Sequence, residues 1–327
     1  MLSYKEKSAF LLDDFVQRQR SLWPMADRNF TLLEKARTKE LPLGNFQVKV
    51  QYNPDRIIST DARTDKVSLA KRPCFLCPAH RFPEQIFLPV ITREGVFYHI
   101  LLNPFPIFPR HLVVALAEHE EQGVAERLED LLFMCDFFPG YSFYYNGPVS
   151  GASAPDHHHF QAVPERLMPL ENLVRNREGG YKKLAATSHA ALYAHEGFYR
   201  GIYVIESSST EQADELFHAL LDKLPVEPGE SEPRINVIAY YDRTEEVGRY
   251  VVIVVLRKCH RSHHYFSQGA DHLMMSPGCA DMAGYFVTPH GEDFEKLDAA
   301  LLAEMVDEIT VSEELVQQIE QKFKQSC

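Results

Sequence analysis

His157-His158-His159-Phe160-Gln161 follows the small-residue run Gly147-Pro148-Val149-Ser150-Gly151-Ala152-Ser153-Ala154-Pro155-Asp156. In an extended strand alternate side chains share a face. His157, His159 and Gln161 therefore project together, and His158 and Phe160 point the other way. Two imidazoles and an amide on one face, beside a loop rich in Gly, Ser and Ala, suit a phosphoryl group. One imidazole attacks phosphorus, the amide holds a non-bridging oxygen, and backbone N–H groups of the loop add donors. Three adjacent histidines also fit a polar surface tract or a metal-binding tract, so the rest of the chain has to choose between these readings.

Composition narrows the choice. A length of 327 residues allows about two domains. With 45% hydrophobic and 24% charged residues, the chain has an ordinary globular balance and material for a sizeable core. Lys+Arg is 34 and Asp+Glu is 46, so the formal net charge is 34 − 46 = −12. Such a surface disfavours nucleic acid and anionic membranes as partners, and an anionic substrate needs a local basic pocket. No apolar run approaches the ~20 residues of a membrane span. The opening Met1-Leu2-Ser3-Tyr4-Lys5-Glu6-Lys7 has no signal-peptide core, so a cytoplasmic location is expected. Of the cysteines Cys74, Cys77, Cys135, Cys259, Cys279 and Cys327, only Cys74 and Cys77 stand at ligand spacing, which argues against a disulfide framework.

Periodicity gives the layout. Residues 4–40 read as helical, with Phe10, Leu11, Phe15 and Val16 at helical spacing, and residues 1–45 as an N-terminal helical segment. Phe46 to Tyr52 alternates as a strand, and a polar loop carrying Arg56, Arg63, Lys71 and Arg72 leads to Cys74. Strands are predicted at Val96–Leu102, His111–Ala117, Tyr141–Tyr145 and His157–Val163, with an amphipathic helix over Glu121–Phe137. Pro104, Pro106 and Pro109 force an extended connection. Residues 165–195 read as a connection with some helix. Strands then follow at Gly201–Glu206, Ile235–Tyr241 and Arg249–Leu256, and helices at Thr210–Leu224, Phe294–Ile309 and Ser312–Phe323. Strand–helix–strand–strand thus occurs twice. The expected fold is α+β, two duplicated units of antiparallel sheet packed with helices, over residues 46–195 and 196–327. The second unit lacks H-x-H and is the degenerate one.

Three ordered motifs carry a family resemblance over residues 46–165, weaker beyond. Leu102-Asn103-Pro104-Phe105-Pro106-Ile107-Phe108-Pro109-Arg110-His111-Leu112-Val113-Val114 resembles the proline-rich hairpin of the histidine-triad superfamily. Arg72-Pro73-Cys74-Phe75-Leu76-Cys77-Pro78 is similar to the metal-binding segment of galactose-1-phosphate uridylyltransferases, and Asn146 to Gln161 to their active-site segment. Gly151-Ala152-Ser153 with His157 to Gln161 is most similar to the GDP-hexose phosphorylase branch. His158 stands where the uridylyltransferases have proline and Ala154 where they have serine.

The resemblance implies histidine-triad-like units and a nucleotidyl transferase or phosphorylase. Its substrate is a nucleoside diphosphate sugar or a dinucleoside polyphosphate, and its acceptor is phosphate or a sugar phosphate. His159 is then the nucleophile that forms a covalent nucleotidyl-imidazole. Gln161, where the hydrolases of the superfamily carry a third histidine, holds the transferred phosphoryl group. Asn103 contacts the ribose, and Asn146 and Ser153 line the phosphate site. Lys71 and Arg72 either neutralise phosphate charge or are solvated loop cations. The implied metal is a structural zinc on Cys74, Cys77, His119 and His157. A redox pair or two unligated thiols remain the alternatives for Cys74 and Cys77. A homodimer is implied by the family alone.

Two other readings of the same residues stay open: a nucleotide pyrophosphate hydrolase, and a nucleotide-binding protein without turnover. Further along, Arg257, Lys258, His260, Arg261, His263, His264 and His272 fit a basic pocket, a second metal site or an exposed basic turn. The loop Met275–Gly284 fits either ligand packing or plain structure.

Overall fold

Ten strands form one continuous sheet, and its order shows how the chain repeats itself. The computed structural model describes residues 4–57, 69, 71–244 and 248–325, with side chains from residue 10 onward. Arg63 and Cys327 lie outside the described residues. The strands of the sheet are β3 (Phe87–Ile91), β4 (Phe97–Leu102), β5 (Leu112–Leu116), β6 (Tyr141–Asn146), β7 (His159–Pro164), β8 (Gly180–Ala186), β9 (Ala190–Glu196), β10 (Ile202–Ser207), β11 (Ile235–Asp242) and β12 (Arg249–Leu256). They lie in the order β3-β4-β5-β7-β6-β11-β12-β10-β9-β8, and every neighbouring pair is antiparallel. Outward from the β6–β11 seam, the first half reads β6-β7-β5-β4-β3 and the second β11-β12-β10-β9-β8. The two halves have the same order, five strands on.

Helices complete the correspondence. α1 (Tyr4–Leu22) and α2 (Pro24–Leu33) precede both halves. α3 (Leu128–Phe137) links the third and fourth strands of the first half, and after α4 (Pro169–Arg175), α5 (Thr210–Leu221) links the same two strands of the second. Ser209 caps α5 by accepting the Gln212 backbone N–H. At the C-terminal end lie α6 (Ala299–Ile309), capped by Asp298, and α7 (Glu313–Gln325). No helix of the described residues is long and apolar enough to cross a membrane.

The central strands bury both faces, and their successive residues feed different cores. Phe143, Tyr145, Phe160, Val237, Ala239, Val252 and Val254 pack with α1–α3, α5 and α7 on one side. Tyr144, Ile238, Tyr240, Val251, Ile253 and Val255 face the other side, where α4, α6 and a small second sheet cover them. That sheet has the order β1-β2-β13, from β1 (Arg37–Leu43), β2 (Phe46–Tyr52) and β13 (Tyr285–Thr288), with β13 parallel to β2.

Several elements differ from the periodicity reading. Residues 37–40, expected to be helical, start β1, because their backbone pairs with β2 across a hairpin turn at Gly44, φ +61°. The helix expected from residue 121 starts at Leu128, after a single tight turn at Ala125–Arg127. Residues 165–195 hold α4, β8 and β9, which join the second half-sheet. β3 and β8 are the sheet's two edge strands and β9 lies next to β8, where half-exposed strands carry little alternation.

Candidate active site and cysteine–histidine centre

β7 lies between β5 and β6, pairing Ala115 with His159, and both Val113 and Tyr144 with Gln161. The alternation of the triple-histidine stretch is therefore real. His158 faces the helical core, its ring 4.7 Å from Phe160 and 6.3 Å from Tyr145. Burial holds its pKa well below the usual imidazole range, so it is a neutral core residue. His159 and Gln161 face the opposite side, into a cavity of about 640 Å³.

Three hydrogen bonds set His159. Its backbone N–H donates to Gln122 Oε1 at 2.8 Å, and Gln122 Nε2 donates to the carbonyls of His159 and Asn146, both at 3.0 Å. The side-chain Nδ1–H donates to the carbonyl oxygen of His157 at 2.8 Å. A proton on Nδ1 leaves the lone pair on Nε2, the tautomer being assigned from that partner. Burial pushes the His159 pKa down to about 4, so the ring is neutral and nucleophilic at physiological pH.

Gln161 is oriented by residues far away in sequence. The backbone N–H of Ile107 donates to His111 Nδ1 at 3.2 Å, so the proton of His111 sits on Nε2. His111 Nε2–H donates to Gln161 Oε1 at 2.8 Å and Tyr144 OH donates to the same oxygen at 2.9 Å. With Oε1 accepting twice, the Gln161 NH2 is left for the cavity. His111 is fully buried, and burial pushes its pKa down to about 3, so this relay stays neutral.

Asn146 obeys the same logic. Its Oδ1 accepts from Asn236 Nδ2 at 3.1 Å and from the Cys279 backbone N–H at 2.6 Å, which leaves Nδ2 as the donor on the cavity side. Both contacts come from the second half of the chain. Gly151 makes that approach possible: at φ +104°, a Cβ there would lie 2.6 Å from Gly278 Cα.

Asn103 and Ser153 line the cavity. Asn103 Oδ1 accepts the Phe105 backbone N–H at 3.0 Å, which fixes its proline-rich turn. Arg72 lines it too, donating to the Ser153 carbonyl and to Asp156 Oδ1, both at 3.1 Å. It therefore shapes the glycine-containing loop. Lys71 is exposed and does not line the cavity. Apolar walls come from Leu76, Phe75, Phe82, Phe105 and Ile107.

Next to His159, four ligand-type atoms converge. Cys74 Sγ is 3.4 Å and Cys77 Sγ 3.5 Å from His157 Nδ1, Cys77 Sγ is 3.2 Å from His119 Nδ1, and the two Nδ1 atoms are 3.2 Å apart. Tetrahedral zinc with bonds of about 2.3 Å to sulfur and about 2.0 Å to nitrogen has ligand–ligand edges of about 3.3–3.8 Å, those involving nitrogen about 3.3–3.5 Å. The set fits. His157 Nε2–H donates to the Leu116 carbonyl at 2.8 Å, turning its Nδ1 lone pair towards the thiols. Among the described residues, no strand leads directly into Cys74, and a turn and a short 3-10 helix follow it.

The second-half basic cluster divides. His260 and Arg261 line the cavity together with the loop Ser276–Asp281. Arg257 is 3% exposed and donates to Asn236 Oδ1 and to the carbonyls of Pro277, Cys259 and His260. It is a strut of the cavity wall. His263 and His264 lie apart from the cavity, against α6. Sequence reasoning did not find Gln122, Tyr144, Asn236 or the relay through His111. No local spacing marks them, since each acts across a strand pair or across the seam between halves.

Comparisons with known proteins agree with this architecture. Residues 15–164 match a family described as a domain of unknown function, DUF4922. Diadenosine 5',5'''-P1,P4-tetraphosphate phosphorylase 2 of Saccharomyces cerevisiae is 28% identical over 159 residues, 43% of this chain and 47% of that protein. The match thus spans about half the length of that relative. The crystal structure of yeast Ap4A phosphorylase Apa2 in complex with Ap4A superposes with a TM-score of 0.55 at 20% identity, covering 88% of this chain and 97% of that one. Another crystal structure of the same yeast protein gives 0.53 at 19% identity, covering 88% and 94%. The likeness to these solved structures is one of fold, and in this chain that fold places H-x-H-x-Q on a central strand.

Proposed function

We propose that the chain is a nucleotidyl transferase of the phosphorylase type. Its substrate is a nucleoside diphosphate derivative, a dinucleoside polyphosphate or a nucleotide sugar, and its acceptor is phosphate or a sugar phosphate. The observation that carries this reading is the convergence of the His159 Nε2 lone pair and the Gln161 amide N–H on one cavity face. The dinucleoside polyphosphate is favoured, because both the curated relative and the superposed structures are phosphorylases of that substrate.

The neutral His159 attacks the α-phosphorus through Nε2. The bond from phosphorus to the bridging oxygen breaks, and the departing nucleotide takes the electron pair. The resulting nucleotidyl-imidazolium keeps its Nδ1–H on the His157 carbonyl, which stabilises the positive charge. Gln161 NH2, Asn146 Nδ2 and the N–H groups around Ser153 hold the non-bridging oxygens as charge develops. An oxygen of the acceptor phosphate then attacks the same phosphorus, and His159 leaves as the neutral ring. Asn103 holds the ribose, and His260 and Arg261 face the distal phosphates. Cys74, Cys77, His119 and His157 would hold a structural zinc, which supplies rigidity to the start of β7. Burial, together with the neighbouring Asp156 and Cys77, pushes the Cys74 thiol up to about 11, and a bound cation would keep it as thiolate.

The test is turnover of a panel of dinucleoside polyphosphates and nucleotide sugars with and without phosphate, alongside His159→Ala. Phosphate-dependent release of a nucleoside diphosphate, absent in the variant while its melting temperature is kept, supports the reading. A rate indifferent to phosphate, with nucleoside monophosphate as product, would overturn it in favour of hydrolysis.

A further inference from the structure

His263 and His264 are adjacent residues on a single helical turn, with ring centroids 3.9 Å apart. One ring nitrogen of each and a carboxylate oxygen of Glu304 lie within 4.8 Å of one another. Each imidazole has its Nδ1 engaged by an oxygen. His263 Nδ1–H donates to Glu308 Oε2 at 2.7 Å, and the same carboxylate accepts the His263 backbone N–H at 2.8 Å. His264 Nδ1–H donates to the Asp271 carbonyl at 3.1 Å. In both rings Nε2 is the nitrogen left over from these bonds. His264 is 7% exposed, and its Nε2 is buried without a hydrogen-bond partner, 3.4 Å from Glu304 Oε1.

A buried Nε2 with no hydrogen-bond partner, converging with a second imidazole and a carboxylate, is an arrangement that a cation would satisfy. We propose that His263, His264 and Glu304 form a binding site for a zinc-like divalent transition cation, separate from the cysteine–histidine centre. The donor set, two imidazoles and one carboxylate with a place left for water, suits zinc, cobalt or nickel better than calcium or magnesium. Glu308, one helical turn from Glu304 on α6, orients His263 through its far nitrogen as metal-bound histidines require. Glu304 is 61% exposed, free to swing the remaining distance to the rings.

The place of the site in the fold gives the cation a task. His264 also accepts the Leu273 backbone N–H through its carbonyl at 3.0 Å, and Leu273 leads directly into Ser276–Asp281 of the cavity wall. On the other side stands α6. The cation clamps the segment that carries His260 and Arg261 to the last helical layer of the second half.

Binding of the metal alone tests this. Zinc or cobalt(II) is added to metal-stripped protein and the stoichiometry is measured after gel filtration. Wild type is expected to hold two equivalents, the Cys74→Ser/Cys77→Ser variant one, and the same variant with His264→Ala none. Because Glu304 is exposed, Glu304→Gln in otherwise wild-type protein keeps the fold and is expected to weaken only the second equivalent, about 10- to 100-fold. With cobalt, the first equivalent shows thiolate-to-metal charge transfer and the second does not. One equivalent in wild type, lost with the cysteines, overturns the proposal, as does a second equivalent that survives both Glu304→Gln and His264→Ala. None of these readings depends on turnover.

Discussion

The carbonyl oxygen of His157 accepts the Nδ1–H of His159 at 2.8 Å, while the ring of the same His157 turns its Nδ1 to Cys74 and Cys77. One residue thus joins the cysteine–histidine centre to the proposed nucleophile through a single peptide unit. If zinc fixes the His157 ring, it also fixes the carbonyl that selects the His159 tautomer. Removing the cation with a chelator, or Cys77→Ser, is expected to lower kcat about 10- to 100-fold, with KM little changed. Steady-state kinetics on protein of measured zinc content checks this. Full kcat in zinc-free protein would break the link.

If Gln161 holds the transferred phosphoryl group as proposed, it acts in the transition state rather than in binding. Replacing it with Leu removes a donor at the developing phosphoryl charge and is expected to cost about 100-fold or more in kcat. Tyr144→Phe removes only one of two donors that hold its Oε1. The expected cost is about 5- to 10-fold, the worth of one hydrogen bond. The order of the two effects is the informative result. A Tyr144→Phe enzyme as weak as Gln161→Leu would place the tyrosine hydroxyl on the substrate itself.

Much of this site was legible because its chemistry is local. The period-2 pattern of residues 157–161 set His158 and Phe160 on one face and His159 and Gln161 on the other, and the structure puts the first pair in the core and the second on the cavity. The four residues Cys74, Cys77, His119 and His157 came from a family resemblance, and they meet. What stayed hidden depends on distance along the chain. Gln161 takes its orientation from His111, 50 residues away, and Asn146 from the Cys279 backbone, 133 residues away. No window of sequence holds both partners. β13 was missed for a related reason: its four residues become a strand only because Tyr285–Thr288 find β2, more than 200 residues earlier.

Gly151 and Gly278 are the contact on which the two halves close around the cavity. Gly151→Ala combines a positive φ of 104° with a Cβ 2.6 Å from Gly278 Cα. Backbone strain of this kind costs about 1–3 kcal/mol, and the loops have to separate. The variant is expected to melt several degrees lower and to bind phosphate acceptor more weakly, since the Ser153 loop and the Ser276–Asp281 loop move apart. Thermal denaturation with acceptor KM measures both. A melting temperature and KM equal to wild type would show that the loops yield without consequence.

Glu232 gives the fold a pH dependence of its own. Its carboxylate is 7% exposed, accepts Tyr145 OH at 2.7 Å and the Val124 backbone N–H at 2.9 Å, and so ties the loop before β11 to the first half. Burial pushes its pKa up to about 7 from an ordinary 4.5. The folded state therefore keeps a proton that the unfolded chain has already lost. The contribution to stability is complete below pH 4.5, falls as pH rises from there to about 7, and stays low above. In Glu232→Gln, the amide oxygen accepts from Val124 while its NH2 donates to the Tyr145 oxygen, so the contacts survive without the titration. Between pH 5 and pH 8, wild type is expected to lose about 2–3 kcal/mol more than the variant. Urea denaturation of both proteins across that range reads the difference directly. Parallel curves would mean that Glu232 is ionised in the folded protein throughout.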